Sequence, residues 1–294
     1  MRDASVESYT PAYELDGPVT ALIVAKVLKS DNPQFSAGDL ITALLLIEEY
    51  SVVSTVEPQL TTKIRNPYNL DLKHYLGAVG MPGLTAYASL YGHGKPVKGE
   101  TVFVSAASGA VGQIVGQLVK REGCTVIGSV GSDDKLKCIL GELGFDGGFN
   151  YNKESAFEAL PRLAPRGINL YYDNVGGEQL DAALVNMANF GRIVVCGMVS
   201  QYSLSESERY GVKNLVVFRR KRLTMKGFLI LDEDMGSAYK EEFEQNMTKW
   251  LQDGYIKGVM SVTDGMDAAA TGLVGMLTGQ NFGKAILKIA DLNC

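Results

Sequence analysis

Thr101-Val102-Phe103-Val104-Ser105-Ala106-Ala107-Ser108-Gly109-Ala110-Val111-Gly112 is an apolar run that enters a turn of small residues and opens onto an amphipathic segment. The pattern predicts strand, turn and helix. Beyond the turn, Val111, Ile114, Val115, Leu118 and Val119 recur at helical offsets, which gives one apolar face able to cover a sheet. Gly109 and Gly112 occupy the second and third glycine places of a dinucleotide fingerprint, where backbone nears a pyrophosphate and the helix lies close to its strand. Ala107 stands at the first place. The glycine pattern alone is degenerate, and context strengthens it: a buried-type strand before, a helix after, and another strand at Thr125 to Ser129. The competing reading is a tight helix-strand contact without a ligand.

The second strand decides which nucleotide suits the turn. A site for NAD places Asp or Glu at that strand's end, about 20 residues past the glycines, to hold the ribose hydroxyls. Here the chain reads Gly128-Ser129-Val130-Gly131-Ser132, followed by Asp133, Asp134 and Lys135. Small residues, the Ser132 hydroxyl and the Lys135 ammonium suit a 2′-phosphate, so NADP(H) is favoured. Asp133 and Asp134 are expected to cap the next helix with their side chains turned to its amides. Lys135 as a solvated first-turn lysine is the alternative.

Outward from the turn, strand and helix patterns alternate, the signature of a parallel sheet covered on both faces. Strands are predicted at Val102 to Ala106, Thr125 to Ser129, Gly148 to Tyr151, Ile168 to Asp173, Arg192 to Cys196 and Thr224 to Ile230, enough for one doubly wound α/β unit. Leu136, Ile139, Leu140 and Leu143 form one core stripe, and Leu180, Ala183, Leu184 and Met187 another. A last helix, Ala238 to Leu251, carries Phe243, Met247, Trp250 and Leu251 on one face, and strands follow at Val259 to Val262 and Lys284 to Ala290. Residues 1 to about 80 read as short strands and turns, with strands at Val19 to Leu28 and Glu49 to Thr55. Pro82 and Gly83 mark a turn before a helix that begins at Leu84, and the domain junction is placed there.

Composition sets the class. The 294 residues suit about two domains, and 46% hydrophobic content can fill their cores. A net charge of -5 and a pI near 5.2 argue against nucleic acid as a partner. The one basic cluster, Arg219-Arg220-Lys221-Arg222, reads as a solvated helix end, with a phosphate or partner contact as the lesser alternative. Leu40 to Ile47 is too short to cross a bilayer and no signal-peptide pattern opens the chain, so a soluble, cytoplasmic protein is expected. Cys124, Cys138, Cys196 and Cys294 are dispersed, and neither His74 nor His93 sits in a zinc-binding pattern, so no metal is expected.

Five stretches bring a resemblance. Gly80-Met81-Pro82-Gly83-Leu84-Thr85-Ala86-Tyr87, Ala106 to Gln113, Phe149-Asn150-Tyr151, Tyr172-Asp173-Asn174-Val175-Gly176-Gly177 and Cys196-Gly197-Met198-Val199-Ser200-Gln201-Tyr202 stand in this order. Together they resemble the zinc-independent medium-chain dehydrogenase/reductases, in the branch of NADPH-dependent alkenal double-bond reductases and prostaglandin reductases. The resemblance runs from Met1 almost to the C-terminus. It implies a Rossmann sheet across residues 81–258 and a β-rich, GroES-like substrate domain built from residues 1–80 and 259–294. The implied reaction sends hydride from NADPH to the β-carbon of an α,β-unsaturated aldehyde or ketone, without a metal. A homodimer is implied too, with the strand near Thr224 to Ile230 as a pairing edge.

Residue roles follow from the same resemblance. Gly109, Ala110, Val111 and Gly112 are expected at the pyrophosphate, Lys135 and Tyr151 at the adenosine phosphate end, and Asn174 at the cofactor. Cys196 to Tyr202, which includes Gly197 and Ser200, would line the nicotinamide side with Phe228, Leu229 and Ile230, and Asn281 would close the pocket. Tyr202 is the candidate catalytic hydroxyl, near either the substrate oxygen or the nicotinamide ribose, since a phenol can donate to developing negative charge. A tyrosine that packs the cleft wall is the alternative. Ser200 to Gly211 is a candidate lid.

Two departures from the family bear on the pocket. Met1-Arg2 resembles the Met-Arg that follows a Pro-Tyr in full-length relatives, so the substrate domain is expected to be shortened at its N-terminus. Ile41 to Ile47 replaces a stretch where relatives carry tryptophan and glycine, and substrate preference is expected to shift with it. The rival functions are a non-catalytic NADPH-binding protein and an enoyl reductase dedicated to one secondary-metabolite pathway.

Overall fold

The computed structural model describes residues 12–53 and 61–291. The chain opens with β1 (Thr20–Lys26), β2 (Leu40–Leu46) and the short β3 (Thr62–Lys63), an antiparallel sheet in which Thr20 faces Leu46 and Lys26 faces Leu40. The apolar run from Leu40 is therefore a strand that buries Ile41 and Ala43. Residues 49–53 of the strand expected at Glu49 to Thr55 form bends and irregular chain, and the last residues of that stretch lie outside the described residues.

Helix α1 (Met81–Ser89) starts one residue before Pro82, which sits where its missing amide costs nothing. Gly83 is required there, because a Cβ would stand 1.8 Å from the Ala78 carbonyl oxygen. The main sheet follows: β4 (Thr101–Val104), α2 (Gly112–Arg121), β5 (Thr125–Val130), α3 (Asp133–Gly141), β6 (Gly147–Asn150), α4 (Ala156–Leu163), β7 (Ile168–Asp173), α5 (Gly177–Asn186), β8 (Met187–Val195), α6 (Val216–Lys221) and β9 (Thr224–Gly227). All its pairs are parallel, in the order β6-β5-β4-β7-β8-β9, so the winding reverses between β4 and β7. This is the doubly wound α/β unit expected from the alternation, and it places a crevice at the carboxyl ends of β4 and β7. The chain closes with α7 (Ala238–Gln252), β10 (Met260–Asp264), α8 (Ala269–Leu277) and β11 (Lys284–Lys288), with β10 parallel to β11.

Both faces of the sheet are covered. Val102, Val104, Val126 and Leu170 meet Ile114, Val115, Leu118 and Val119 of α2 on one side, joined by Phe243 and Met247 of α7. Phe103, Ile127, Tyr171 and Ile193 meet Ala159, Leu160, Leu180 and Leu184 on the other. Each fully buried aliphatic side chain contributes about 1.5–3 kcal/mol. The predicted stripes hold with one exception: Leu140 is exposed, because the face of α3 turned to the core carries Cys138 and Ile139.

Several boundaries moved. β8 begins at Met187 and carries Phe190 at a φ of +62° beside an irregularity in its pairing with β7. β9 stops at Gly227, which leaves Phe228, Leu229 and Ile230 in the loop beyond it. The basic cluster does end a helix, yet it is not merely solvated: the Lys221 ammonium donates to the carbonyls of Val185 and Met187, and the Arg222 guanidinium lies 4.3 Å from the Phe190 ring centre. No helix among the described residues is long and apolar enough to cross a membrane.

Candidate active site

The turn after β4 is built by backbone. Ala106 takes a φ of +47°, its carbonyl accepts from the Gly109 amide at 2.8 Å, and Gln113 closes the first helical turn onto the Gly109 carbonyl at 3.1 Å. The amides of Val111 and Gly112, at the start of α2, donate to no backbone or side-chain acceptor among the described residues. Two such amides at the positive end of a helix dipole form a cradle for a diphosphate. Ala107 at the first glycine place is accommodated across the sheet, since a Cβ on Gly128 would stand 2.5 Å from the Ala107 Cβ. Gly112 has no such latitude: its Cβ would meet the Ala106 carbonyl oxygen at 2.4 Å. Gly112→Ala is therefore expected to destabilise the fold by about 1–3 kcal/mol and to weaken nucleotide binding at least tenfold, as read by thermal unfolding and by NADPH fluorescence titration.

At the end of β5, Ser132 and Lys135 stand side by side at the start of α3. The Ser132 hydroxyl accepts from the Lys135 amide and caps α3. The expectation that Asp133 and Asp134 do the capping is thus corrected. Asp133 instead takes the Asn150 amide and the Lys153 ammonium, and Asp134 pairs with Lys137 in solvent. The capping position needs the extended backbone that Ser132 has, while both aspartates already lie inside the helix. Lys135 is a buried residue whose ammonium donates to the Gly279 carbonyl at 2.6 Å, and burial lowers its pKa. The solvated-lysine alternative does not fit this burial. Tyr151 is half-exposed, and its hydroxyl lies 2.6 Å from where a Cβ on Gly131 would be.

The floor of the crevice is a hydrogen-bonded network that the residue patterns did not reveal. Asp173, fully buried at the end of β7, accepts on Oδ1 from the amides of Val175 and Gly176 and from the hydroxyls of Tyr171 and Ser105. Its Oδ2 has no partner among the described residues, and burial pushes the acid's pKa up. Its backbone carbonyl accepts from the amides of Cys196 and Gly197. Asn174 donates its amide to the Ser105 hydroxyl at 2.9 Å and its side-chain nitrogen to the Ser105 carbonyl at 2.7 Å. The carbonyl end of that side chain is left to face other donors. One aspartate therefore ties three strand ends together, β4 and the turn after β7 through its carboxyl and the residues after β8 through its backbone carbonyl.

At the far side, the Cys196 thiol is held against Tyr172, and burial pushes it up to about 11, which makes it an inert lining group. Ser200 donates its hydroxyl to the Val175 carbonyl at 2.6 Å. Tyr202 is exposed, and its hydroxyl oxygen accepts from the Met198 amide at 3.1 Å. Because that oxygen is already an acceptor, its own proton is oriented away and is available to a further acceptor. Phe228 packs against the core with its ring 6.0 Å from His93, while Leu229 and Ile230 sit in the turn around Asp232. Asn281 donates to the Gly283 carbonyl.

Two segments of the C-terminal part fold back onto the turn after β4 and onto α2. Gly283 donates to the Ser108 carbonyl at 2.8 Å and bridges to Gly109, and Gln113 and Gln117 of α2 exchange bonds with the backbone of Val259 and Lys257. Two glutamines four residues apart on an otherwise apolar helix face were the available signal for this junction. Thus the segment Gly279 to Gly283, which carries Asn281, bonds both to the turn after β4 and to Lys135, and Asn174, Cys196 and Gly197 share the Asp173 network.

Among the described residues no group of three or more His, Cys, Asp or Glu side chains is arranged to hold a metal ion. Residues 110–253 match a family model described as zinc-binding dehydrogenase, and residues 1–61 match one described as N-terminal domain of oxidoreductase. The chain is 51% identical over 293 residues to the NADP-dependent oxidoreductase RED1 of Cochliobolus heterostrophus, which covers 100% of this chain and 83% of that protein. The chain belongs to the zinc-independent medium-chain dehydrogenase/reductases. It is also 44% identical to the 2-alkenal reductase (NADP(+)-dependent) of Nicotiana tabacum, over 96% of this chain and 80% of that one. Among solved structures, CurA from Vibrio vulnificus in complex with NADPH superposes with a TM-score of 0.86 at 32% identity, over 97% of this chain and 84% of that one. These relatives place the chain in the branch of alkenal and enone reductases.

Proposed function

We propose that this oxidoreductase reduces the C=C bond of α,β-unsaturated aldehydes and ketones. Its cofactor is NADP(H), which supplies the hydride when bound. In this reading the Val111 and Gly112 amides hold the diphosphate, Lys135 and Tyr151 meet the 2′-phosphate end, and Asn174 orients the ribose or nicotinamide. Residues 81–258 then carry the cofactor, and residues 1–80 with 259–294 carry the substrate.

The observation that carries the proposal is the state of the Tyr202 hydroxyl: its oxygen is occupied by the Met198 amide, so its proton can go to the carbonyl oxygen of a bound enone. A hydride supplied to the β-carbon would push negative charge onto that oxygen, where the positioned phenol would stabilise the enolate. A proton from the medium would then reach the α-carbon and complete the saturated carbonyl. The Asp173 network contributes by fixing the backbone on which Asn174, Cys196 and Gly197 stand. The homodimer belongs to the same proposal, with β9 as the outer strand of the sheet.

Incubation with NADPH and 3-nonen-2-one is the test, followed by absorbance of the reduced cofactor and by mass spectrometry of the product. Consumption matched by nonan-2-one is the expected result. NADPH binding without consumption would favour a non-catalytic binding protein, and turnover of a single enone from a broad panel would favour a dedicated pathway enzyme.

A further inference from the structure

The connection from β8 to α6 carries Tyr202, yet no residue between 199 and 215 is buried. Apolar packing therefore does little to hold it, and its position is set by hydrogen bonds. At its start, the Val199 amide donates to the Asn174 carbonyl, and both the amide and hydroxyl of Ser200 donate to the Val175 carbonyl. At its end, the fully buried Asp181 of α5 accepts from the Tyr210 hydroxyl at 3.0 Å, the amides of Lys213 and Asn214 at 3.1 and 2.9 Å, and the Asn214 side chain at 3.0 Å. Burial would raise this acid's pKa, but those bonds outweigh it and hold the carboxyl below its ordinary range, ionised at neutral pH. Between the two anchors, the Tyr210 amide donates to the Gln201 side-chain oxygen at 2.8 Å, which closes residues 202–209 into a loop with joined ends.

We propose that the Asp181–Tyr210–Gln201 brace positions Tyr202 for enone reduction, which makes Asp181 and Tyr210 positioning residues for turnover and not for cofactor affinity. The inference rests on the proposed reaction and on Tyr202 as its hydroxyl. The span is thus a braced loop and not a free lid. Its anchors lie in the turn from β7 to α5 and on α5 itself, next to the Asp173 network, so the brace fixes the distance from Tyr202 to the nicotinamide side. A displacement near 1 Å of such a group costs up to about 10²-fold in rate.

The test compares Tyr210→Phe, Asp181→Asn and Gln201→Ala with the wild type, measuring kcat and KM for 3-nonen-2-one, NADPH affinity by fluorescence, and thermal unfolding. The expected result is a fall in kcat of about tenfold for Tyr210→Phe and Asp181→Asn, with NADPH affinity within about twofold of wild type. The pair Asp181→Asn/Tyr210→Phe is expected to do no more than Asp181→Asn alone, since the two share one bond. Should Asp181→Asn fail to fold, Tyr210→Phe and Gln201→Ala, at a half-buried position, carry the comparison. Unchanged kcat in folded variants of an active wild type, or NADPH affinity lost in step with kcat, would overturn the brace alone. A wild type that binds NADPH but reduces no enone would overturn the reaction and the brace with it.

Discussion

Tyr202→Phe is expected to lower kcat for an enone by about 10- to 100-fold while leaving NADPH affinity within about twofold. Removing a donor from a preorganised oxyanion site costs about 10²–10³ in kcat when the site is dry. Tyr202 is 69% exposed, so water can partly replace the lost hydroxyl, and the lower part of that range, extended downward, applies. The Met198 amide would also lose its acceptor, but it lies at the surface and finds water at little cost. Steady-state kinetics beside a binding titration check both halves. A phenylalanine variant that loses NADPH affinity and keeps its kcat would move the hydroxyl from the substrate oxygen to the ribose. A variant unchanged in both would make Tyr202 a wall residue.

Lys135→Ala is expected to weaken NADPH binding by about 10- to 100-fold and to leave NADH binding within about threefold. A charge-assisted hydrogen bond to a buried partner contributes about 1.5–3 kcal/mol, and tenfold corresponds to about 1.4 kcal/mol. The ammonium has three donors, and only one is taken by the Gly279 carbonyl, so the remaining two can meet phosphate oxygens without breaking that bond. Burial disfavours its charge, and a dianionic phosphate beside it would restore the preference for the charged form. Lys135→Met separates the two roles, because it keeps an apolar side chain of similar length and removes the charge that lies 5.7 Å from the Phe282 ring centre. Equal loss of NADPH and NADH affinity in both variants would mean that the residue only secures the Gly279 turn.

The α/β half was readable because its elements are periodic and its contacts local. Val102 to Val104 is buried on both faces, and a buried parallel strand reads as an unbroken apolar run. The α2 stripe and the absence of a carboxylate at the end of β5 were equally visible, since each depends on residues near in sequence. Residues 49–53 misled because a serine- and valine-containing stretch has strand propensity but pairs with no strand among the described residues, and propensity is outvoted by pairing. The strand after Thr224 read too long because Phe228 to Ile230 are apolar, yet they lie in the loop beyond the sheet, where Phe228 packs against the core and Leu229 is exposed.

The Asp173 network stayed hidden because its donors come from separate strands, with Ser105 and Tyr171 lying 68 and 2 residues away in the chain. Asp181 was hidden in the same way, on a helix face where Leu180, Ala183 and Leu184 draw attention to the core. Ser132 as the cap was legible in principle, since serine three residues before Lys135 is an N-cap signal, but the two aspartates after it competed for that role. What periodicity cannot reveal in this chain is which polar side chain reaches across from one strand end to another.

Transfer of a deuterium label tests the central claim most directly. With NADPH deuterated at the transferable position of its nicotinamide and 3-nonen-2-one as substrate, NMR and mass spectrometry of the product report where the label lands. The expected result is one deuterium at the β-carbon of nonan-2-one, with the α-carbon proton drawn from the medium. Deuterium on the former carbonyl carbon, in an unsaturated alcohol, would contradict the assignment of C=C reduction.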